Sequence, residues 1–259
     1  MKIIRFQMDG KEKTGLIEDL NIIELKSSVL ESLNDINLDK FKKNSSYPLE
    51  NIKIKAPVSP SKVVCVGLNY QDHAAELNMD LPQEPVIFLK PPTSIIGHQD
   101  SIIYPYSSHQ VDYEAEMGII ISKKAKNIKE KNAGEFIGGY TVLNDVTARD
   151  LQKKDGQWTR AKSFDTFAPV GPVIETEMDP HNQNIFLKLN GEIKQDSNTK
   201  KMIFAVEELL EFISHIMTLN PGDIIATGTP PGVGSMQPGD RIEAGVEDIG
   251  VLENQIIRS

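Results

Sequence analysis

Along most of the chain the apolar positions fall into short β-branched runs, and one stretch alone carries the spacing of a helix face. Residues 2–7 and 14–18 read as two strands around a turn at Asp9-Gly10, a dipeptide suited to a tight hairpin. Residues 26–50 are polar, with weak helical spacing in Val29, Leu33 and Ile36. Ala56-Pro57-Val58-Ser59-Pro60 then breaks the pattern. A boundary is expected there, between a small N-terminal accessory domain (1–56) and a catalytic domain (57–259). Strands follow at 62–66, ending on Gly67, and at 85–90, with a short surface helix and loop over 70–85 between them. Further strand-length apolar runs occupy 117–122 and 136–143. Residues 184–190 and 192–195 flank Asn190-Gly191 as a second hairpin.

The helix is marked by Val206, Leu209, Leu210, Ile213, Ile216 and Met217, three and four residues apart on one face. Asn220-Pro221-Gly222 stops it. Short strands at 224–226 and 241–243 each follow a Pro-Gly-Asp turn. Strands outnumber helices and do not alternate with them. That argues against a doubly wound βαβ arrangement and for an α+β or mainly β core.

The 259 residues suffice for one large domain with a small companion, and 39% hydrophobic with 25% charged residues is an ordinary globular mixture. Twenty-eight basic against 37 acidic side chains leave a net charge of −9, without a basic block. Nucleic acid and anionic membranes are therefore poor partners. No apolar run approaches the roughly 20 residues of a membrane span, and 1–6 is too short and too soon interrupted to be a signal peptide. A cytoplasmic location is expected by default. Cys65 has no partner for a disulfide and, set among Val63, Val64 and Val66, reads as a buried strand residue.

Candidate chemistry begins at Asp112-Tyr113-Glu114-Ala115-Glu116-Met117. On a strand, Asp112, Glu114 and Glu116 share a face, each about 7 Å from the next. The run then enters an apolar stretch, where like charges repel strongly unless a cation lies between them. Asp145 ends the apolar run 140–143 and adds a third acid. Oxygen ligands without a His–Cys cluster favour Mg²⁺ or Mn²⁺ over Zn²⁺. Asp112, at the mouth of the strand, ranks below Glu114 and Glu116. Spacing alone also allows a solvated strand face with a loop aspartate.

His73 and Glu76, three apart, share a helix face and offer a carboxylate-oriented general base, or a plain exposed pair. Arg149 has the chemistry to bind a substrate carboxylate bidentately. Lys162 lies among uncharged neighbours. A surface salt bridge is the alternative for each. Residues 227–234 form a Gly/Pro loop without the Gly-Lys-Ser/Thr ending of a phosphate-binding loop. Its N–H groups and a Thr hydroxyl still suit an anion. His98, His109, His181 and His215 have no partner at catalytic spacing.

Six segments in order, Gly67-Leu68-Asn69-Tyr70 with His73 and Glu76, Phe88-Leu89-Lys90-Pro91, Asp112-Tyr113-Glu114-Ala115-Glu116, Asn144-Asp145-Val146-Thr147-Ala148-Arg149-Asp150 with Gln152, Ala161-Lys162-Ser163-Phe164-Asp165, and Thr227-Gly228-Thr229-Pro230 with Gly232-Val233-Gly234, resemble the fumarylacetoacetate hydrolase family across roughly 60–255. Within the family it is similar to the short bacterial-type members related to acylpyruvate hydrolases and oxaloacetate decarboxylases. The resemblance implies a β-rich mixed-sheet roll of the fumarylacetoacetase C-terminal type, a bound Mg²⁺ or Mn²⁺, and a homodimer. It implies Glu114, Glu116 and Asp145 as metal ligands, and His73–Glu76 as a water-activating dyad on a lid. Arg149, Gln152, Lys162 and Thr229 would line the substrate site. Fumarylacetoacetase itself has a further aspartate ligand seven positions before the dyad histidine. Here that position is Val66, which argues against fumarylacetoacetate as substrate and leaves coordination positions to water.

The expected activity is Mg²⁺-dependent cleavage of the bond beyond C3 of a small 2-oxo acid through a metal-stabilised pyruvate enolate, with Lys162 assisting. Acylpyruvate hydrolysis and oxaloacetate decarboxylation share that enolate. One alternative is an isomerase or decarboxylase of the 2-hydroxyhepta-2,4-diene-1,7-dioate type in aromatic catabolism. A second is a non-enzymatic, cation-stabilised structural or binding protein, against which His73, Glu76 and Lys162 argue.

Overall fold

The period-two runs become strands, and in the computed structural model, which describes residues 1–35, 37–76 and 78–258, these strands are sorted into three sheets. Among the described residues the first sheet has twelve strands. Its spatial order is Lys42–Pro48, Asn21–Leu25, Lys11–Glu18, Lys2–Met8, Ala168–Glu175, Ile137–Asn144, Ala115–Ile121, Ile224–Ala226, Val63–Gly67 and Val86–Lys90. Lys53–Ile54 and Ile95–Ile96 pair onto it from the side. A five-stranded sheet runs Glu192–Asn198, Asn184–Leu189, Arg241–Val246, Gly250–Arg258, Ser101–Tyr104. The third, small sheet holds Thr147–Ala148, Val111–Tyr113 and Gly234–Met236. This is an α+β, strand-dominated, mixed-sheet architecture, as the patterning predicts.

Both hairpin turns follow their dipeptides. Asp9 and Gly10 have φ of 49° and 72°, Asn190 and Gly191 of 53° and 81°. These left-handed values match the twist of the flanking strands. The Lys2–Met8 strand pairs with Ala168–Glu175, Ile3 opposite Ile174, so the N-terminal meander continues the main sheet. Ile3, Leu16 and Leu25 share an apolar cluster with Val63, Cys65, Ile120 and Ile224.

The long helix spans Val206–Ile216, and Val206, Leu209, Leu210 and Ile213 are buried in the principal core. The Glu208 carboxylate accepts from the Ala205 N–H at 2.8 Å and closes the first turn. Ile216, expected on the buried face, is 52% exposed. Ile216 is the last helical residue, at the edge of the buried face, and the chain turns extended at Met217. The segment 26–50 also departs from its weak helical pattern. Only Val29–Ser32 is α-helical, and Lys42–Pro48 is an edge strand whose polar residues face solvent. Ile36 of that pattern lies outside the described residues. No helix among the described residues is long and apolar enough to cross a membrane.

One buried acid ties the start of the Val63–Gly67 strand to its parallel neighbour. Asp223, in the turn before Ile224–Ala226, accepts from the N–H groups of Ser61, Lys62 and Asn220, the Ser61 hydroxyl and the Lys62 ammonium. Although burial opposes its charge, the Lys62 ammonium and these donors hold its carboxyl below the usual range. Asp223→Ala strands these donors. It is expected to lower stability by about 2–4 kcal/mol in urea unfolding. Because the folded carboxyl has the depressed pKa, its contribution is complete above the unfolded value and lost as pH falls through the folded one. The difference between variant and parent should therefore shrink in acid; a difference that persists with the carboxyl protonated would assign the effect to packing.

Candidate metal centre and active site

The acid strand is broken, and the break makes the site. Val111–Tyr113 belongs to the small sheet and Ala115–Ile121 to the large one. The expected single strand over 112–117 is therefore two strands hinged at Glu114. The opposing chain does the same: Ile137–Asn144 pairs with Ala115–Ile121, and Thr147–Ala148 with Val111–Tyr113. Both chains change sheets at one seam, with Glu114 on one side and Asp145 on the other. The Asp145 N–H donates to the Glu114 carbonyl at 2.8 Å. Side-chain amides replace the missing ladder bonds, Asn144 Oδ1 accepting from the Glu114 N–H and Gln195 Oε1 from the Ala115 N–H, both at 2.9 Å.

At this seam Glu114, Glu116 and Asp145 converge, each offering one oxygen within 4.8 Å of the others. Their exposures are 6%, 1% and 1%, which removes the solvated-face alternative. Three cations neutralise part of the charge. Lys162 Nζ donates to Glu114 Oε2 at 2.9 Å and Asp145 Oδ2 at 2.7 Å. Lys90, wholly buried, pairs with Asp145 Oδ1 and donates to the Val146 carbonyl at 2.9 Å. Arg149 donates through Nε to Asp112 at 2.8 Å, pairs with Glu114, and reaches Gln152 Oε1 at 2.6 Å.

Four buried carboxylates, Asp112 included, thus face three cations. The imbalance settles on Glu116, which accepts from the Gly228 N–H at 2.8 Å and from no cation among the described residues. Burial, then the Asp145 and Glu114 charges, push its carboxyl well above the usual range. Burial also opposes the charge on Glu114, yet Lys162 and Arg149 overcome it and hold that carboxyl at about 2. Burial likewise opposes the Lys162 charge, and Asp145 and Glu114 more than restore it. An all-oxygen donor set with one uncompensated negative charge fits a hard divalent cation. These three carboxylates form a group that can hold a metal ion.

A cavity of about 420 Å³ opens onto the cluster and is lined by eight of the nine expected site residues: His73, Glu114, Glu116, Asp145, Arg149, Gln152, Lys162 and Thr229. Glu76 does not line it and acts from behind: its Oε2 lies 2.9 Å from His73 Nδ1, and its carboxylate also accepts from the Gly232 N–H at 3.1 Å. His73 Nδ1 bonded to Glu76 leaves Nε2 as the proton-accepting nitrogen. Thr229 and Arg149 differ from expectation in where their donors go. The Thr229 hydroxyl donates to the Ala115 carbonyl and accepts from Gln195, and the Arg149 guanidinium is directed at protein carboxylates. The Gly228 N–H, suited to an external anion, is likewise bound to Glu116. A second cleft, about 490 Å³, lies at the N-terminal meander, but its buried acid Glu24 is already satisfied by Lys13, Lys43 and Tyr47.

Sequence reading assigned no role to Lys90, ranked Asp112 low and passed over Trp158. A lysine ending the otherwise apolar Val86–Lys90 strand is itself a signal, since a buried ammonium demands an acid. Nothing local marks Trp158, whose place beside Phe88 depends on a strand distant in sequence.

Comparison with known proteins places these observations in a family. The fumarylacetoacetate (FAA) hydrolase C-terminal model matches residues 62–257. Oxaloacetate tautomerase Fahd2a, mitochondrial, of Rattus norvegicus is 46% identical over 222 residues, covering 81% of this chain and 71% of that protein. The crystal structure of 2-hydroxyhepta-2,4-diene-1,7-dioate isomerase from Mycobacterium marinum superposes with a TM-score of 0.90 at 39% identity, covering 100% and 99% of the two chains. Maleylpyruvate hydrolase from Sphingobium sp. SYK-6, solved in complex with manganese(II) ion and pyruvate, gives 0.85 at 27% identity over the full length of both. Relatives named as a tautomerase, an isomerase and a hydrolase thus stand among the proteins this chain resembles, and with more than half its length matched by the family model, it belongs to the fumarylacetoacetate hydrolase family.

Proposed function

We propose that this protein is a Mg²⁺- or Mn²⁺-dependent enzyme that carries a small 2-oxo acid through its enolate and breaks the bond beyond C3. The observation that carries this reading is the buried Glu114–Glu116–Asp145 group, one cation short of balance, at a cavity also lined by Lys162 and His73. Those three carboxylates would hold the ion. When bound, a divalent cation supplies Lewis-acid chelation of vicinal carboxylate and carbonyl oxygens. It also turns the local charge from one negative to one positive, which suits an anionic substrate.

The protein's own groups do the rest. Lys162, kept charged by Glu114 and Asp145, presents an ammonium to negative charge developing on the 2-oxo oxygen. His73, oriented by Glu76, accepts a proton through Nε2, from water in hydrolysis or from C3 in enolisation. Arg149 and Gln152 hold Glu114 in place, a positioning role. A carboxylate arm leaves as CO₂ without water attack; an acyl arm requires it. The manganese and pyruvate named for the Sphingobium hydrolase support the metal and the substrate head group. A second reading, proton transfer at C3 without cleavage, draws support from the rat oxaloacetate tautomerase.

Oxaloacetate and acetylpyruvate, each given to the Mg²⁺-loaded protein, separate these outcomes when pyruvate release and enol absorbance are followed together. Pyruvate above the metal-only rate is expected. Enol–keto relaxation without pyruvate would favour the tautomerase, and neither signal would end the enolate reading.

Glu116→Gln is expected to lose metal binding and turnover together, with an affinity loss beyond the roughly 10–100-fold of outer-shell changes. The raised Glu116 carboxyl adds a pH signature. A raised carboxyl takes up a proton more readily than an ordinary one, so proton and metal compete for it: affinity should fall with falling pH, and binding at the acid end should release protons. Calorimetry in two buffers of different ionisation enthalpy reads this directly; buffer-independent heats would contradict it.

His73→Ala should reduce acetylpyruvate hydrolysis by about 10²–10⁴-fold, the usual worth of a general base. Oxaloacetate decarboxylation should lose far less. Equal losses would remove His73 from water delivery.

A further inference from the structure

The cavity is much larger than three carbons at the carboxylate cluster require, and its remaining wall is built. Phe88 and Trp158 meet edge to face, centroids 5.2 Å apart and planes at 74°. Lys162 Nζ lies 5.0 Å from the Phe88 ring centre, so this ring joins the charged cluster to the indole. Gly67 is what admits the indole: a Cβ there would stand 2.9 Å from the Trp158 ring. The helix Arg149–Asp155 supplies Arg149, Gln152 and Lys153 to the same wall. It ends on Gly156 at φ 69°, and the chain turns back to set Trp158 against the cavity.

The cations of this cavity are not equivalent. Arg149 and Lys162 are spent on protein carboxylates. Lys153, exposed at the cavity wall, has no acidic partner among the described residues. An extended substrate held at its 2-oxo end beside Lys162 has one free positive charge to meet along this wall.

We propose that Trp158 and Lys153 form a subsite for the substrate arm beyond C3, in which the arm lies along the aromatic wall and Lys153 pairs with a carboxylate at its end. Lys153 is then a specificity residue that selects 2-oxo dicarboxylic acids over 2-oxo monocarboxylic acids of equal length. This rests on the reading of the cavity as a 2-oxo acid site.

The chain's only tryptophan is Trp158, so intrinsic fluorescence reports this wall without a label. The Mg²⁺-loaded protein is titrated with 2-oxoglutarate and 2-oxopentanoate, five-carbon 2-oxo acids that differ only in a terminal carboxylate or methyl group. Binding is expected to be about 1.5- to fivefold tighter for 2-oxoglutarate, the range of an exposed ion pair. Lys153→Gln should erase that preference, Lys153→Glu should invert it, and Lys153→Arg should retain it. Equal affinities in the parent protein, or a preference that survives Lys153→Glu, would overturn the subsite. A saturable signal from neither acid would overturn it too, while the pyruvate assay decides separately whether the cluster performs enolate chemistry.

Discussion

Four carboxylates are buried here against three cations, and much of the local structure follows from that one unit of charge. Isolated carboxylates are expensive to bury, and paired ones remain so unless their geometry is good. Lys90, Lys162 and Arg149 therefore make multiple contacts each, and the seam around them is locked by amide side chains rather than ladder bonds. The residual charge sits on Glu116, between a strand on the large sheet and the N–H of Gly228. A site in this condition takes up a proton or a cation. In the proposed function that competition would connect folding energetics to activity, because the group that is costly to bury empty is the one that would draw a cation.

The seam also explains why a mixed-sheet roll suits the task. Two antiparallel chains leave one sheet and enter another at the same level, which turns backbone and side chains inward where a continuous ladder would keep them alternating across a surface. Glu114 and Asp145 face each other across that gap. Rigid strands on both sides fix them, and the segment with His73 and Glu76 reaches over from the Gln71–Glu76 helix. The groups proposed to handle the proton thus stand on a short surface element, and the charged cluster in the core, a division that would admit a substrate without disturbing the cluster.

Arg149 and Lys162 show how context revises a role read from residue type. Each has the chemistry to bind a substrate carboxylate. In the fold, Arg149 orients Glu114 and Asp112, and Lys162 bridges two carboxylates. Lys162 also lies beside the aromatic wall, 5.0 Å from the Phe88 ring centre. The cationic character that these two residues lend the cavity is therefore conditional on what occupies the carboxylates.

The sequence alone determined the strand-rich class, both hairpin turns and the buried face of the long helix up to Ile213, and it singled out the acids at 114, 116 and 145 while leaving a solvated strand face open. Those signals are local: period-two alternation, residues that tolerate positive φ, and an acid at the end of an apolar run. The tertiary structure decided what depends on distant partners. Lys90 reaches Asp145 across 55 positions, Glu114 meets Arg149 across 35, and Gly228 meets Glu116 across 112. The strand break at Glu114 was hidden because alternation continues through it, and the polar edge strand 42–48 because exposed edges need no apolar pattern. Periodicity records which side of an element is buried. Charge balance belongs to the space between elements, and only the assembled sheets reveal that the site is one cation short.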